Sequence, residues 1–184
     1  MFKWFKPAAL DPLSVSMAGA KLGDRVLVVG CGDPYLIAGL AAKSGLTGRL
    51  CAVDASPERA TEAGRVALKE GTLAETSAAD PSALTYDAGS FDLVVLRDVA
   101  RSDDAARAAA VKEAWRVLRP AGRCMVIDSV GRGGVSAMFT GGSPPPASGS
   151  ENVVATLAAQ GFVAVRLLAE RDGLRFVEAV KRNS

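Results

Sequence analysis

From Arg25 onward, short runs of apolar and β-branched residues alternate with longer alanine-rich stretches of helical periodicity, and no internal repeat interrupts them. That rhythm is a βαβα pattern, which predicts an α/β domain with a mostly parallel sheet covered by helices on both faces. The first strand is Arg25-Val26-Leu27-Val28-Val29, apolar on both faces as a central parallel strand must be, and it runs into Gly30-Cys31-Gly32-Asp33-Pro34. Asp33 suits a helix cap and Pro34 a first helical position, so a helix is expected to about Ser44, ending at Gly45. Arg49-Leu50-Cys51-Ala52-Val53 is a second strand closing on Asp54, and Ser56-Pro57 repeats the cap-then-proline signal for a helix through about Glu70.

Thr72 to Thr76 is a weaker third strand, and a turn-rich segment from Ala78 to Ser90 leads into the fourth, Phe91-Asp92-Leu93-Val94-Val95-Leu96. Ser102-Asp103-Asp104 then caps a helix reaching Leu118, with acidic residues at the positive end of its dipole. Arg119-Pro120-Ala121-Gly122 is expected to turn into a fifth strand, Arg123-Cys124-Met125-Val126-Ile127. Gly131 to Gly149, rich in Gly, Ser and Pro, is expected to be a flexible loop, and Ser150-Glu151 to cap a last helix to about Gln160. Val163 to Leu168 and Leu174 to Val180, joined by Arg171-Asp172-Gly173, should form an antiparallel hairpin.

The 184 residues, 49% of them hydrophobic, suit a single domain, 1–184, with an N-terminal segment at 1–21. With 22 Lys and Arg against 20 Asp and Glu there is no basic stripe, so nucleic acid is not an expected partner. The chain has no His, which excludes imidazole bases, His-containing triads and His-ligated metals, leaving carboxylate, Lys, Tyr, Cys or water for proton transfer. Cys31, Cys51 and Cys124 are odd in number and set in or beside apolar runs, so they read as buried hydrophobes in a reducing compartment rather than as metal ligands. No apolar run approaches the ~18 residues of a membrane span, and the start lacks a signal-peptide core of ~7 to 15 residues; a cytoplasmic protein is expected. Phe2, Trp4 and Phe5 interleaved with Lys3 and Lys6 could rest on an anionic membrane surface, although a terminal segment packed on the domain is the preferred reading.

A strand that ends in Gly-x-Gly and opens a helix offers free backbone N–H groups and lets a ligand approach where Cβ is missing. Asp54 ends the neighbouring strand 24 residues after Gly30, where an acid can accept both hydroxyls of a ribose. Taken singly, each of these residues also has a plain structural use: the glycines in a tight turn, Asp54 at the helix that follows. A nicotinamide dinucleotide site is disfavoured, because Tyr35 stands where a third glycine is wanted.

On Val26 to Gly32, Val53-Asp54-Ala55-Ser56, Ala83-Leu84-Thr85-Tyr86 with Gly89 to Val94, and Arg116 to Arg123, the chain resembles the class I S-adenosylmethionine-dependent methyltransferases. It is most similar to the small ubiquinone and menaquinone biosynthesis type, and the resemblance runs from about Leu22 to Lys181. It implies a Rossmann-like seven-stranded sheet of order 3-2-1-4-5-7-6 with the last strand antiparallel, and S-adenosylmethionine as cofactor. Carried over by position, it implies Gly30, Cys31 and Gly32 against the methionine and ribose, Asp33 near the ammonium or carboxylate, Asp54 on the ribose hydroxyls and Ala55 beside the adenine. It also implies Asp80 accepting from the adenine amino group, Pro81 along the ring, and Arg97 with Asp98 near the cofactor's amino group and methyl. Asp80 could instead initiate a turn before Pro81, and Arg97 with Asp98 could be a surface ion pair.

Three positions depart from the family pattern: Val28 replaces an acid, Pro34 a third glycine, and Ala100-Arg101 a histidine pair. The catalytic group is therefore unidentified, with Asp98, Asp128 and Tyr35 the candidates for deprotonating an oxygen acceptor. Methyl transfer to a small molecule, a hydrophobic one included, is the expected activity, the acceptor entering between the N-terminal segment and the Gly131 to Gly149 loop. The missing Asn-Pro-Pro-Tyr type motif disfavours methylation of DNA amino groups. The alternative is a catalytically degenerate, methyltransferase-like binding or scaffold protein.

Overall fold

In the computed structural model, which describes residues 12–130 and 148–183, the cap-then-proline signals start two helices where they were expected. Asp33 accepts from the Leu36 amide at 3.1 Å and Pro34 takes the first turn of α2 (Pro34–Ser44), which ends at Gly45. Ser56 accepts from the Arg59 amide at 3.2 Å at the start of α3 (Pro57–Lys69). These helices alternate with β1 (Arg25–Val29), β2 (Arg49–Asp54) and β3 (Glu75–Ala78), all parallel. After β4 (Phe91–Arg97) come a 3-10 turn at Val99–Arg101, α4 (Asp104–Val117) and β5 (Leu118–Ser129). Then α5 (Ser148–Gln160) precedes β6 (Phe162–Arg171) and β7 (Leu174–Lys181).

The seven strands lie in the order β3-β2-β1-β4-β5-β7-β6, with β7 antiparallel to both its neighbours, as the resemblance implied. Alternation along each strand divides the core in two. Val26, Val28, Leu93 and Val95 face α2, α3 and a short helix α1 (Pro12–Ala18), whereas Leu27, Val29, Val94 and Leu96 face α4 and α5. Each such aliphatic side chain, fully buried, contributes about 1.5–3 kcal/mol, so both faces of the central strands hold helices against the sheet.

Four expectations need correction. The third strand is Glu75–Ala78 rather than Thr72 to Thr76, because the Thr72 amide and hydroxyl both donate to the Ala67 carbonyl (2.9 and 3.0 Å) and finish α3. In its register Cys51 stands opposite Glu75, and an exposed Arg49–Glu75 ion pair at 2.6 Å joins the two strands. The turn expected at Arg119 to Gly122 is a bulge inside a continuous β5: Leu118 pairs with Phe91, the register shifts, and Arg123 pairs with Leu93. Ala121 takes a positive φ of 59° there, and Arg119 is tied to Asp92. The last helix starts at Ser148, two residues earlier than expected. The sixth strand reaches Arg171 rather than Leu168, with two register shifts against β7. The Asp172-Gly173 turn is as expected, both residues having positive φ (55° and 77°).

The expected loop from Gly131 to Gly149 lies outside the described residues except for its last two positions, which are in α5, and Phe2 to Lys6 also lie outside them. Among the described residues no helix is long and apolar enough to cross a membrane, and no acidic or cysteine cluster could hold a metal ion. Cys31, Cys51 and Cys124 are free and buried.

Candidate cofactor site

The chain turns away from β1 at Gly30, whose φ of 101° and whose approach to β4 both require glycine: a Cβ would lie 3.0 Å from Arg97 Cβ and 3.2 Å from its carbonyl oxygen. Gly32 differs, since a Cβ there would meet nothing within 4 Å. The first glycine lets two strands close up, and the second leaves room for a ligand.

Asp54, at the end of β2, is 4% exposed, and a carboxylate this buried is stable only with its oxygens engaged. Oδ2 accepts from the Cys31 amide at 2.7 Å, and Oδ1 from the Ser56 amide at 2.8 Å and from Arg59 Nε and Nη2 at 3.0 and 2.7 Å. Burial pushes its pKa up, but the donors from Arg59, Ser56 and Cys31 outweigh that and hold it below the usual carboxylate range. The group is an anion fixed between two strand ends.

The connection from β3 to β4 forms the rim. Asp80 Oδ1 accepts from the Ser82 amide and hydroxyl at 2.8 and 2.7 Å, so the turn reading of Asp80 holds for this oxygen. Farther along, the connection is pinned to α4, where Glu113 accepts from the Leu84 amide at 2.8 Å and Arg116 donates to the Leu84 and Tyr86 carbonyls at 2.8 and 2.7 Å. On the other side, Arg97 is 9% exposed, its Nη2 lies 3.8 Å from Asp33 and 3.9 Å from Asp98, and its buried Nε has no partner.

These elements enclose a cavity of about 630 Å³ at the carboxyl ends of β1, β2 and β4, where ligands bind in open α/β sheets. Of the residues expected at the cofactor, Gly30, Gly32, Asp54, Ala55, Asp80, Pro81 and Arg97 line it, together with Asp98. Cys31 and Asp33 do not line it. The Cys31 side chain is in the core, its thiol pushed up to about 12 by burial, and only its amide serves the site through Asp54. Asp33 spends one oxygen on the α2 cap and faces Arg97 with the other.

Arg59, Val99 and a wall of α4 alanines (Ala105, Ala106, Ala109, Ala110) also line it and were not expected. Arg59 was legible only as the residue one helical turn beyond the Ser56 cap. Of the candidate bases only Asp98 lines the cavity; Tyr35 does not, and Asp128 is 2% exposed. Val28 is sealed in the core and Pro34 opens α2, so neither position intrudes on the cavity. A slightly larger cavity, about 700 Å³, lies at the opposite strand ends beside Gly48 and Leu73 and contains none of the expected residues.

A family model described as a methyltransferase domain matches residues 26–122. A chloroplastic 2-phytyl-1,4-beta-naphthoquinone methyltransferase of Arabidopsis thaliana is 36% identical over 124 residues, covering 63% of this chain and 46% of the relative. The ubiquinone/menaquinone biosynthesis C-methyltransferase UbiE of Chromobacterium violaceum is 31% identical over 119 residues, covering 62% and 47%. The chain thus spans about half the length of the curated relatives it matches. Among solved structures, a SAM-dependent methyltransferase from Aquifex aeolicus superposes with a TM-score of 0.73 at 22% identity, covering 93% of this chain and 89% of that one. The [4+2]-cyclase SpnF also reaches 0.73 at 19% identity, covering 95% and 81%. One architecture carries both names, so the fold alone does not decide the reaction. The family match settles the family: with more than half of its length within that domain, the chain belongs to the class I S-adenosylmethionine-dependent methyltransferases, similar to the UbiE type, and S-adenosylmethionine is its cofactor.

Proposed function

We propose that the chain transfers the methyl group of S-adenosylmethionine to a small hydrophobic acceptor, in the cavity at the carboxyl ends of β1, β2 and β4. The observation that carries this placement is the pairing of Gly32, whose missing Cβ leaves open space, with Asp54, a sealed anion at the adjacent strand end. In this reading Asp54 receives the ribose hydroxyls, and Ala55, Pro81 and the α4 alanines form the apolar slot for the adenine. Arg97 and the facing carboxylate of Asp98, both on the cavity wall, match the carboxylate and ammonium of an amino-acid tail. The unpartnered Arg97 Nε supports that assignment, since a buried guanidinium nitrogen without an acceptor is costly.

The bound cofactor supplies an electrophilic methyl on a sulfonium. The chain's own contribution is alignment and exclusion of water. Gly32 admits the ligand to the backbone, while Asp54 and Arg97 hold its two ends. A carbon acceptor already activated as a reduced ring needs no protein base to attack the methyl, the ring proton leaving to water after the new C–C bond forms; one relative is named a naphthoquinone methyltransferase and the other a ubiquinone/menaquinone biosynthesis C-methyltransferase. Neither geometry nor relatives favour the non-catalytic reading. The free, buried cysteines support a reducing compartment such as the cytoplasm.

Calorimetric titration with S-adenosylmethionine, S-adenosylhomocysteine and NAD tests the cofactor step. Micromolar binding of the first two and none of NAD is expected. Transfer of labelled methyl to reduced naphthoquinones carrying an alkyl chain, with stoichiometric S-adenosylhomocysteine, is the expected second result. Cofactor binding with no transfer to any such ring would remove the acceptor class.

A further inference from the structure

A carboxylate offers about four lone-pair sites, and Asp54 already has four donors on it: the amides of Cys31 and Ser56, and two nitrogens of Arg59. Three of the four, the Ser56 amide and both Arg59 nitrogens, crowd Oδ1, while Oδ2 holds only the Cys31 amide, so a ribose, which brings two hydroxyl donors, finds a site on Oδ2 and none on Oδ1 until Arg59 leaves. The two amides belong to the β1 and β2 strand-end loops and cannot leave without remaking the backbone. Arg59 can leave, because its side chain is 59% exposed, lines the cavity and stands on the surface of the first turn of α3.

We propose that Arg59 is a displaceable latch on the cofactor site: its guanidinium stands in for the two ribose hydroxyls on Asp54, and the cofactor binds by exchanging them for it. The inference rests on the reading that Asp54 receives the ribose. The exchange is one for one in donors, so the buried carboxylate is never left unpaired, with the cavity empty or filled. The freed guanidinium turns into water near Glu58, which is itself held by the Ser56 hydroxyl at 2.7 Å. Because an exposed ion pair is weak, the latch is easily opened. It lowers cofactor affinity and leaves discrimination in place, since a ligand lacking a diol cannot replace both donors.

The test is titration with S-adenosylhomocysteine, whose ammonium and carboxylate cancel, on the wild type, Arg59→Ala, Arg59→Gln and Asp54→Asn, each first checked by thermal melting. Removing the latch is expected to tighten binding by roughly two- to fivefold in both Arg59 variants, the fold-change an exposed ion pair supports. Raising KCl from about 0.05 to 0.5 M screens that pair, so wild-type affinity should rise with salt while both Arg59 variants stay flat, a response that a merely structural arginine does not produce. Asp54→Asn should bind weakly. Unchanged or weaker binding in both Arg59 variants, with Asp54→Asn still impaired, overturns the latch alone. Full binding by Asp54→Asn overturns the ribose reading and the latch with it.

Discussion

The Arg116 guanidinium on α4 donates at 2.7 Å to the carbonyl of Tyr86, 30 positions earlier in the chain. It also donates to the Leu84 carbonyl, and its ion-pair partner Glu113 accepts from the Leu84 amide. These three hydrogen bonds to α4 side chains, with a fourth from the Gly89 amide to the Arg116 carbonyl at 3.1 Å, fix a connection with no helix of its own, whose residues Asp80 to Ser82 rim the cavity. The Leu84 and Tyr86 side chains pack into the core beneath, Tyr86 edge-on to Phe91 at 5.0 Å.

Arg116→Met keeps the aliphatic stem and removes both carbonyl contacts together with the ion pair to Glu113. A loss of about 1.5–3 kcal/mol is expected, the range for hydrogen bonds to a charged group, because two backbone carbonyls lose their donor. The rim should loosen as well, so S-adenosylhomocysteine should bind more weakly in calorimetry. An unchanged denaturation midpoint and affinity would mean the core contacts of Leu84 and Tyr86 suffice to hold the connection.

Gly30→Ala and Gly32→Ala should fail in opposite ways. At Gly30 the added methyl meets Arg97 at 3.0 Å on a backbone of φ 101°, so a destabilisation of about 1–3 kcal/mol is expected. Gly32 has neither a positive φ nor a neighbour within 4 Å, so its alanine variant should melt like the wild type yet bind S-adenosylhomocysteine poorly. Thermal melts and titrations of both variants check this. A Gly32→Ala protein with full affinity would mean that the open space beside that residue is not occupied by the cofactor.

The contrast between these glycines shows where the sequence was legible. Helix starts at Asp33-Pro34 and Ser56-Pro57 and the Asp172-Gly173 turn were readable because their causes are local, lying within four residues of backbone. The third strand was misplaced because its four residues, largely exposed, carry no apolar signature and are held by pairing with the neighbouring strand β2. Gly30 and Gly32 looked alike in sequence, and only the approach of Arg97 from β4 separates their roles. Arg59 was missed for the same reason: nothing local says that one turn of α3 brings it back over Asp54.

Asp54→Ala should weaken S-adenosylhomocysteine binding by about 1.5–3 kcal/mol, the range for hydrogen bonds to a charged group. The Cys31 and Ser56 amides would lose their acceptor as well, so the glycine loop should lose order. Calorimetry measures the first effect and hydrogen exchange at Cys31 the second. Wild-type affinity in this variant would take Asp54 out of the site.

Asp128, at the end of β5, supplies a pH dependence opposite to that of Asp54. It is 2% exposed, its Oδ1 accepts from the Ala100 amide at 3.0 Å, and its Oδ2 has no partner. Burial raises its pKa above the ordinary 3.8; the Ala100 amide lowers it, Asp98 raises it, and Arg175 and Arg97 lower it, leaving a net rise. The folded chain therefore binds this proton more tightly than the unfolded chain, and the stability this gives is complete below 3.8 and lost as pH rises through the folded value. For Asp54 the folded value is depressed, so its contribution is present above 3.8 and lost as pH falls. The two windows lie on opposite sides of one reference value and can be separated in a single series of denaturant titrations. Asp128→Asn keeps an oxygen for the Ala100 amide and cannot ionise. Its stability should match the wild type near pH 3, exceed it near pH 7, and follow a flatter profile between them. A variant no more stable than the wild type at neutral pH would show that Arg97 and Arg175 already compensate the charge.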